Sequence, residues 1–258
     1  MLLGDRVRWS RVEVASTEGL APAILVAVLR EARTTLLGRG DPDAALHLVR
    51  ERLEGRERDG RPTTAGWMSL PRGASTVGGG DDVPGPVDAL LGRLGLERFS
   101  TWDWMVTADE PPAVEAEDAV VRLDPVVDAD AIRACLAEAN PGTTADPTGP
   151  QEAAWCGVRD GDVLVGVMGA SLRGGSDEGG LSWHLHGLGV RPRARGRDLG
   201  AALTAAVTRA GLSAGAEWVS LGLYADNERA RGIYRRLGYA TEGEFVSFGP
   251  AGARRPPT

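Results

Sequence analysis

Ten residues, Arg191-Pro192-Arg193-Ala194-Arg195-Gly196-Arg197-Asp198-Leu199-Gly200, hold the densest chemistry in this chain. Arginine occupies alternate positions from Arg191 to Arg197. Before the segment, Leu181 to Val190 reads as a strand. After it, Leu199, Leu203, Ala206, Val207 and Ala210 recur at helical spacing. A basic, glycine-bearing turn between strand and helix is an anion site on physical grounds. The unpaired N–H groups of the first helical turn and the positive end of the helix dipole face whatever sits there. Guanidinium groups add charge-assisted donors suited to phosphate. The turn is therefore expected to hold a pyrophosphate.

Two further groupings lie close by in sequence. Trp218 to Ala225 alternates like a strand, and Asp226-Asn227-Glu228 opens a helix that ends at Gly238. Asn227, Ala230 and Tyr234 fall at i, i+3 and i+7, on one face of that helix. Taken singly, Asn227 reads as a cap and Tyr234 as a core residue. Within the strand Leu181–Val190, Gly187 and Gly189 flank Leu188, and glycines inside a strand mark a bulge or a close approach. His184 and His186 share one face of the same strand. Either imidazole has the proton affinity of a general base at neutral pH, or serves only to hydrogen-bond its neighbours.

The chain contains no lysine. That removes a Walker A loop, a pyridoxal-phosphate Schiff base and a kinase-type lysine. The glycine spacing also differs from that of a dinucleotide-binding turn.

What remains resembles the Gcn5-related N-acetyltransferase (GNAT) superfamily, whose loop reads Arg/Gln-x-x-Gly-x-Gly/Ala and cradles the pyrophosphate of acetyl-CoA. Arg195 and Gly200 match. Asp198 replaces the central glycine, and it is read as a helix cap whose charge Arg195 and Arg197 offset. The pattern Asn227-x-x-Ala230-x-x-x-Tyr234, followed by Arg236-Leu237-Gly238-Tyr239, extends the resemblance. It implies backbone contacts to the cofactor from Leu188, Gly189 and Val190, and a pyrophosphate site at Arg195, Gly196, Arg197, Asp198, Leu199 and Gly200. It implies that Asn227 bonds the pantetheine arm, that Ala230 lets the arm approach, and that Tyr234, a phenol with a pKa of roughly 10, protonates the leaving thiolate. Backbone N–H groups near Leu188 would receive the oxyanion. In many members a glutamate base stands where this chain has His184, so His184 or His186 takes that role. The implied reaction is direct transfer of an acetyl group from acetyl-CoA to a primary amine of a small molecule or peptide. The competing reading is a non-catalytic module that binds acyl-CoA for regulation.

These groups need elements to hold them. Strand Val120–Leu123, helix Asp128–Ala139, a polar loop over 140–150, strand Ala154–Arg159, an Asp160-Gly161-Asp162 turn and strand Val163–Leu172 lead to the central strand. The expected class is α/β with a mixed sheet: a GNAT acyl-CoA N-acyltransferase fold over 120–250 and a tail over 251–258 without order. A smaller α/β domain covers 1–112, and a linker covers 113–119, within the Pro-, Ala- and acid-rich stretch Glu110–Ala119. In the N-terminal part the expectations are a strand over 6–14, a helix from Thr17 to Leu37, a helix from Pro42 to Leu53, a strand at Trp67–Leu70 and a glycine-rich loop over 73–85. Arg93-Leu94-Gly95-Leu96, between a helix and a strand, echoes Arg236-Leu237-Gly238-Tyr239, with Leu91 in the place of Tyr234 and Pro84 in that of Asn227. This part is either a degenerate repeat of the acetyltransferase or an unrelated packing domain.

Net charge is −7 over 258 residues, spread over both halves, so a nucleic-acid or anionic-membrane surface is not expected. Cys135 and Cys156 lack metal-type spacing and are expected reduced in the core. Three histidines without clustered partners give no metal site. The apolar run Leu20–Leu29 is too short to span a bilayer, and no leader is evident. A cytoplasmic monomer or homodimer is expected. Asp146, Asp177 and Glu178 could draw a cationic amine, and Trp102, Trp104 and Trp183 could wall its pocket.

Overall fold

The computed structural model describes residues 12–30, 33–74, 86–176 and 180–253. The expectations for 6–11, for 75–85 including Pro84, for Asp177 and Glu178, and for 254–258 lie outside the described residues.

The first strands are β1 (Val12–Thr17), β2 (Ala23–Arg30) and β3 (Arg33–Gly40), an antiparallel meander with Val26 opposite both Val14 and Leu37. A helix from Thr17 to Leu37 was expected here, and the structure corrects it. Ala23 to Leu29 is apolar throughout, so it has no polar face from which to tell a helix from a doubly covered strand. The β-branched Ile24, Val26 and Val28 favour the strand.

Helix α1 (Pro42–Arg58) follows after a single intervening residue, Asp41. It buries Ala45, Leu46, Leu48, Val49 and Leu53. Then come β4 (Trp67–Pro71), α2 (Pro86–Leu94) and β5 (Glu97–Thr107). The 113–119 stretch contains a short 3-10 helix, Glu115–Ala119. It packs on a later helix, where Arg209 donates to Glu117 Oε1 (2.8 Å) and to the Pro111 carbonyl (2.7 Å).

The remaining elements are β6 (Val120–Leu123), α3 (Ala129–Ala139), β7 (Glu152–Asp160), β8 (Val163–Gly174), β9 (Leu181–Val190), α4 (Leu199–Ser213), β10 (Val219–Tyr224), α5 (Glu228–Arg236) and β11 (Ala240–Gly249). Asp160 and Val163 close the β7–β8 hairpin, with Gly161 at φ +60 as the first of two loop residues. Among the described residues no helix is long and apolar enough to cross a membrane.

The chain divides into two units. One contains Trp104–Leu223 and Asn227–Glu242; the other contains the described residues up to Asp103, Tyr224–Asp226, and those from Gly243 on. In the first unit, β6 to β9 are antiparallel neighbours, β10 runs parallel to β9, and the end of β5 lies beside β10. Helix α3 covers one face through Ile132, Cys135 and Leu136, against Leu123, Trp155, Leu164 and Val167. Helix α4 covers the other, against Cys156, Val158, Val165, Met168 and Leu185. Each Leu- or Ile-sized side chain so removed from water contributes roughly 1.5–3 kcal/mol. Both cysteines are free, and burial pushes their thiols up.

In the second unit the sheet order is β1-β2-β3-β4-β11-β5. Residues 243–249 of β11 thus lie between two strands from the start of the chain. Val246 pairs with Leu70, Phe245 stacks on Trp102 (4.5 Å between centroids, 19°), and Ser247 Oγ meets Ser69 Oγ at 2.7 Å. Each unit therefore completes its sheet with a strand from the opposite half of the sequence.

The two halves also repeat one order. The run β1-β2-β3-α1-β4-α2-β5 matches β7-β8-β9-α4-β10-α5-β11, antiparallel, antiparallel, then parallel in both. Residues recur at matching places: Asp41-x-x-Ala-Ala-Leu and Asp198-x-x-Ala-Ala-Leu, Trp67-Met-Ser-Leu and Trp218-Val-Ser-Leu. Gly95 and Gly238 end α2 and α5 at φ +69 and +90. Leu96 N–H donates to Leu91 O as Tyr239 N–H donates to Tyr234 O, both at 3.0 Å.

Candidate active site

The turn from β9 to α4 begins with a short 3-10 helix, Pro192–Ala194. Asp198 sits at the N-cap of α4 with φ +56 and ψ +14, and it is the one non-glycine at positive φ among the described residues. A glycine in the family's pattern at this position makes physical sense: the backbone must turn left-handed, and aspartate is among the few side chains that tolerate it. The expected capping bond is not made. No N–H of α4 is bonded by the Asp198 side chain, so the first-turn donors stay available. Gly196, at φ +79, and Gly200 both border open space. Free first-turn donors beside open space are the features an anion site requires.

The arginines divide their work. Arg195 donates to Val190 O (3.1 Å) and Ala139 O (3.3 Å), stapling the turn to β9 and α3. That differs from the expected offset of Asp198. Arg191 donates to Leu164 O at 2.8 Å and pairs with Glu138. Arg193 and Arg197 are exposed.

Upstream, β9 breaks its register with β8. Val167 pairs with Gly189 and Gly169 with His186, so Gly187 and Leu188 bulge out, with Gly187 at φ +61. The β9–β10 ladder runs only from Val219↔Trp183 to Leu221↔Leu185. Leu188 therefore has no ladder partner on either side, and Asn140 Nδ2 holds its carbonyl at 3.1 Å. Backbone N–H groups at such a bulge can receive a developing oxyanion.

The two histidines face different surroundings. His184 stacks flat on Trp104 (4.6 Å, 2°), and its Nδ1 lies 3.1 Å from Ser220 Oγ. His186 Nε2 lies 3.2 Å from Glu152 Oε2, with Trp155 edge-on to the ring. On α5, Asn227 Oδ1 caps Ala230 N–H at 3.1 Å. Its amide NH2 is not used by that bond. Tyr234, 7% exposed, packs near Tyr239, and burial pushes its phenol up to about 12 rather than the roughly 10 expected from sequence.

Residues 129–239 match the sequence model of the Acetyltransferase (GNAT) family. That span is similar to a GNAT acetyltransferase domain.

Solved structures agree on the fold. A GCN5-related N-acetyltransferase from Kribbella flavida is similar at a TM-score of 0.57 and 22% identity, over 96% of this chain and 91% of that one. One from Sphaerobacter thermophilus gives 0.54 and 19%, over 88% and 75%. A GNAT-family acetyltransferase from Colwellia psychrerythraea gives 0.54 and 9%, over 92% and 98%. No curated protein matches the sequence.

Sequence reasoning missed Glu152 and took Asn140 only as the start of a polar loop; both lie beside the β9 bulge. Both are polar residues at element ends, a common solvated placement, and only the register of β7, β8 and β9 brings them in. Asp146 is committed elsewhere: Arg133 (3.0 Å) and Thr148 (2.6 Å) bond its carboxylate and hold it well below the usual range. Trp183 is a core residue. Among the described residues no group of three His, Cys, Asp or Glu side chains could hold a metal.

Proposed function

We propose that the GNAT domain transfers an acetyl group from acetyl-CoA to a primary amine of a small molecule or peptide. The observation that carries this reading is the uncapped start of α4 behind a left-handed Asp198, opening beside a strand bulge. Gly196, Arg197, Leu199 and Gly200 would hold the pyrophosphate through backbone N–H groups and the Arg197 charge, and Arg195 fixes the turn's shape. Leu188, Gly189 and Val190 offer backbone groups, while Asn227 and Ala230 face the pantetheine arm. Bound acetyl-CoA supplies the thioester carbon that the amine attacks and the thiol that leaves.

The chain's own residues manage the protons. An amine that arrives as an ammonium must lose one before its nitrogen can bond carbon. A histidine of β9 takes it. Tyr234 supplies one to the departing sulfur, and its burial keeps it protonated at every physiological pH. A phenol that weak donates only as the sulfur gains charge.

The second unit reads as a degenerate copy. Leu91 stands where the active copy has Tyr234, and Leu37, paired with Ser69, stands where His184 pairs with Ser220. The connection from β3 to α1 is a single residue, too short to surround a diphosphate. Free thiol measured after adding acetyl-CoA and a panel of primary amines, with product masses, tests the reading. A pure binder shows saturable binding and no amine-dependent thiol.

A further inference from the structure

The structure assigns Glu152 as the positioning residue that sets the tautomer of His186 and so makes it the base, an inference that rests on the transferase reading above. Glu152 opens β7, His186 lies on β9, and β8 runs between them. The pair meets across β8 because Gly169 has no side chain: a Cβ there would come within 2.7 Å of both His186 Cε1 and the Trp155 ring. Glycine at 169 is thus a condition of the contact.

Glu152 Oε2 and His186 Nε2 are each shut off from water and make no well-formed hydrogen bond among the described residues, and they lie 3.2 Å apart. Their alignment falls short of a well-directed hydrogen bond. A carboxylate taken out of water strongly favours a donor opposite it. In the neutral imidazole the proton therefore sits on Nε2, and the lone pair on Nδ1 is left to act. A carboxylate that orients one ring nitrogen so that the other accepts a proton is a general device of histidine bases. The side chains of His186 and Glu152 are 21% and 13% exposed, so an acceptor can reach the ring while the pair stays largely dry. The next residue, Gly187, begins the bulge at which the thioester is expected. His184 sits differently: Trp104 covers its ring and its Nδ1 faces the Ser220 hydroxyl.

The step balances simply. One N–H bond of the acceptor ammonium breaks, its proton joins Nδ1 of His186, and the freed electron pair belongs to the attacking nitrogen.

Nitrogen-15 spectra of histidine-labelled protein give the decisive readout, with only three histidines to assign. Wild type is expected to show His186 protonated at Nε2 and bare at Nδ1. Glu152→Ala should lose that preference, while Glu152→Gln, whose amide oxygen still accepts, should keep it. Spermidine, tyramine and a short unblocked peptide serve as acceptor probes. With whichever reacts, Glu152→Ala should lower kcat by about 10- to 100-fold with the KM for acetyl-CoA within twofold, and Glu152→Gln should recover part of the loss. An unchanged His186 tautomer in folded Glu152→Ala, or an unchanged kcat, overturns the assignment. The tautomer needs no acceptor and decides even if none of the probes reacts. Absence of acetyl-CoA binding to wild type would instead sink the transferase reading, whatever the tautomer.

Discussion

Asp41 and Asp198 hold the same N-cap position on matching helices, α1 and α4, and use it in opposite ways. Asp41 has extended backbone angles (φ −61, ψ 129), and its Oδ1 receives the N–H groups of Asp43 and Ala44 at 3.1 and 2.9 Å. The α1 N-terminus is thereby filled by its own carboxylate. Asp198 turns left-handed, bonds none of the α4 donors, and leaves that end open. One helix end keeps its donors open and the other has satisfied its own. Calorimetry with acetyl-CoA should therefore return one site per chain; two equivalent sites would contradict the contrast.

Replacing Asp198 by glycine should tighten acetyl-CoA binding by about 3- to 10-fold, because a like charge leaves the diphosphate site. Stability should change little. Release of left-handed strain, about 1 kcal/mol, is offset by the extra freedom of glycine in the unfolded chain. Asp198→Val, which cannot accept φ +56 without strain, should weaken binding. Titration calorimetry and a thermal melt on each variant decide it.

Tyr234→Phe should lower kcat by at least about 10-fold while the Kd for acetyl-CoA stays within twofold, since the ring is kept and only the proton is lost. Thiol release read beside equilibrium binding separates the two quantities. Unchanged turnover would remove Tyr234 from the mechanism.

Burial also fixes how the fold responds to alkali. Tyr234 is raised to about 12 and Tyr239 further, despite the hydrogen bond the latter shares with Thr208 at 2.7 Å. Both phenols ionise more readily in the unfolded chain, at about 10. Their neutral forms therefore stabilise the fold fully below pH 10, and that contribution is lost as pH rises through 12. For Tyr234 the loss amounts to about 2–3 kcal/mol. Denaturant midpoints measured from pH 9 to 12 should fall, and less steeply in Tyr234→Phe.

Phe245→Ala should cost about 3–5 kcal/mol, as for other fully buried aromatics. The loss should appear in the second unit, where the ring stacks on Trp102. Ser247→Ala should cost less, removing the acceptor of the Trp102 indole (2.8 Å) and the Ser69 contact. Amide exchange would place the opening along β4 and β5.

Much of the first unit was legible in the sequence because its signals are local. Alternation marked β9, the 3.6-residue stripe marked α4, and Gly161 marked the hairpin. The bulge was legible too, since glycines at 187 and 189 would only weaken a strand that ran straight through them. What escaped reading depended on partners distant in sequence. Glu152 means nothing until register sets it against Ser171 on β8, within reach of His186 on β9. The run Ala23–Leu29 reads as a helix until β1 and β3 are known to flank it. The exchange of β5 and β11 leaves no local trace, since a strand's composition does not say which neighbour it will choose.

The position of β11 has a consequence for synthesis. Of the eleven strands among the described residues it is the last to emerge from the ribosome, yet it belongs between β4 and β5, which are made far earlier. Until it arrives, those two present bare backbone edges to the cell or pair provisionally with each other. Where they have paired, maturation requires that pairing to open, and a nascent chain stalled before residue 240 then holds a sheet that the finished protein does not contain.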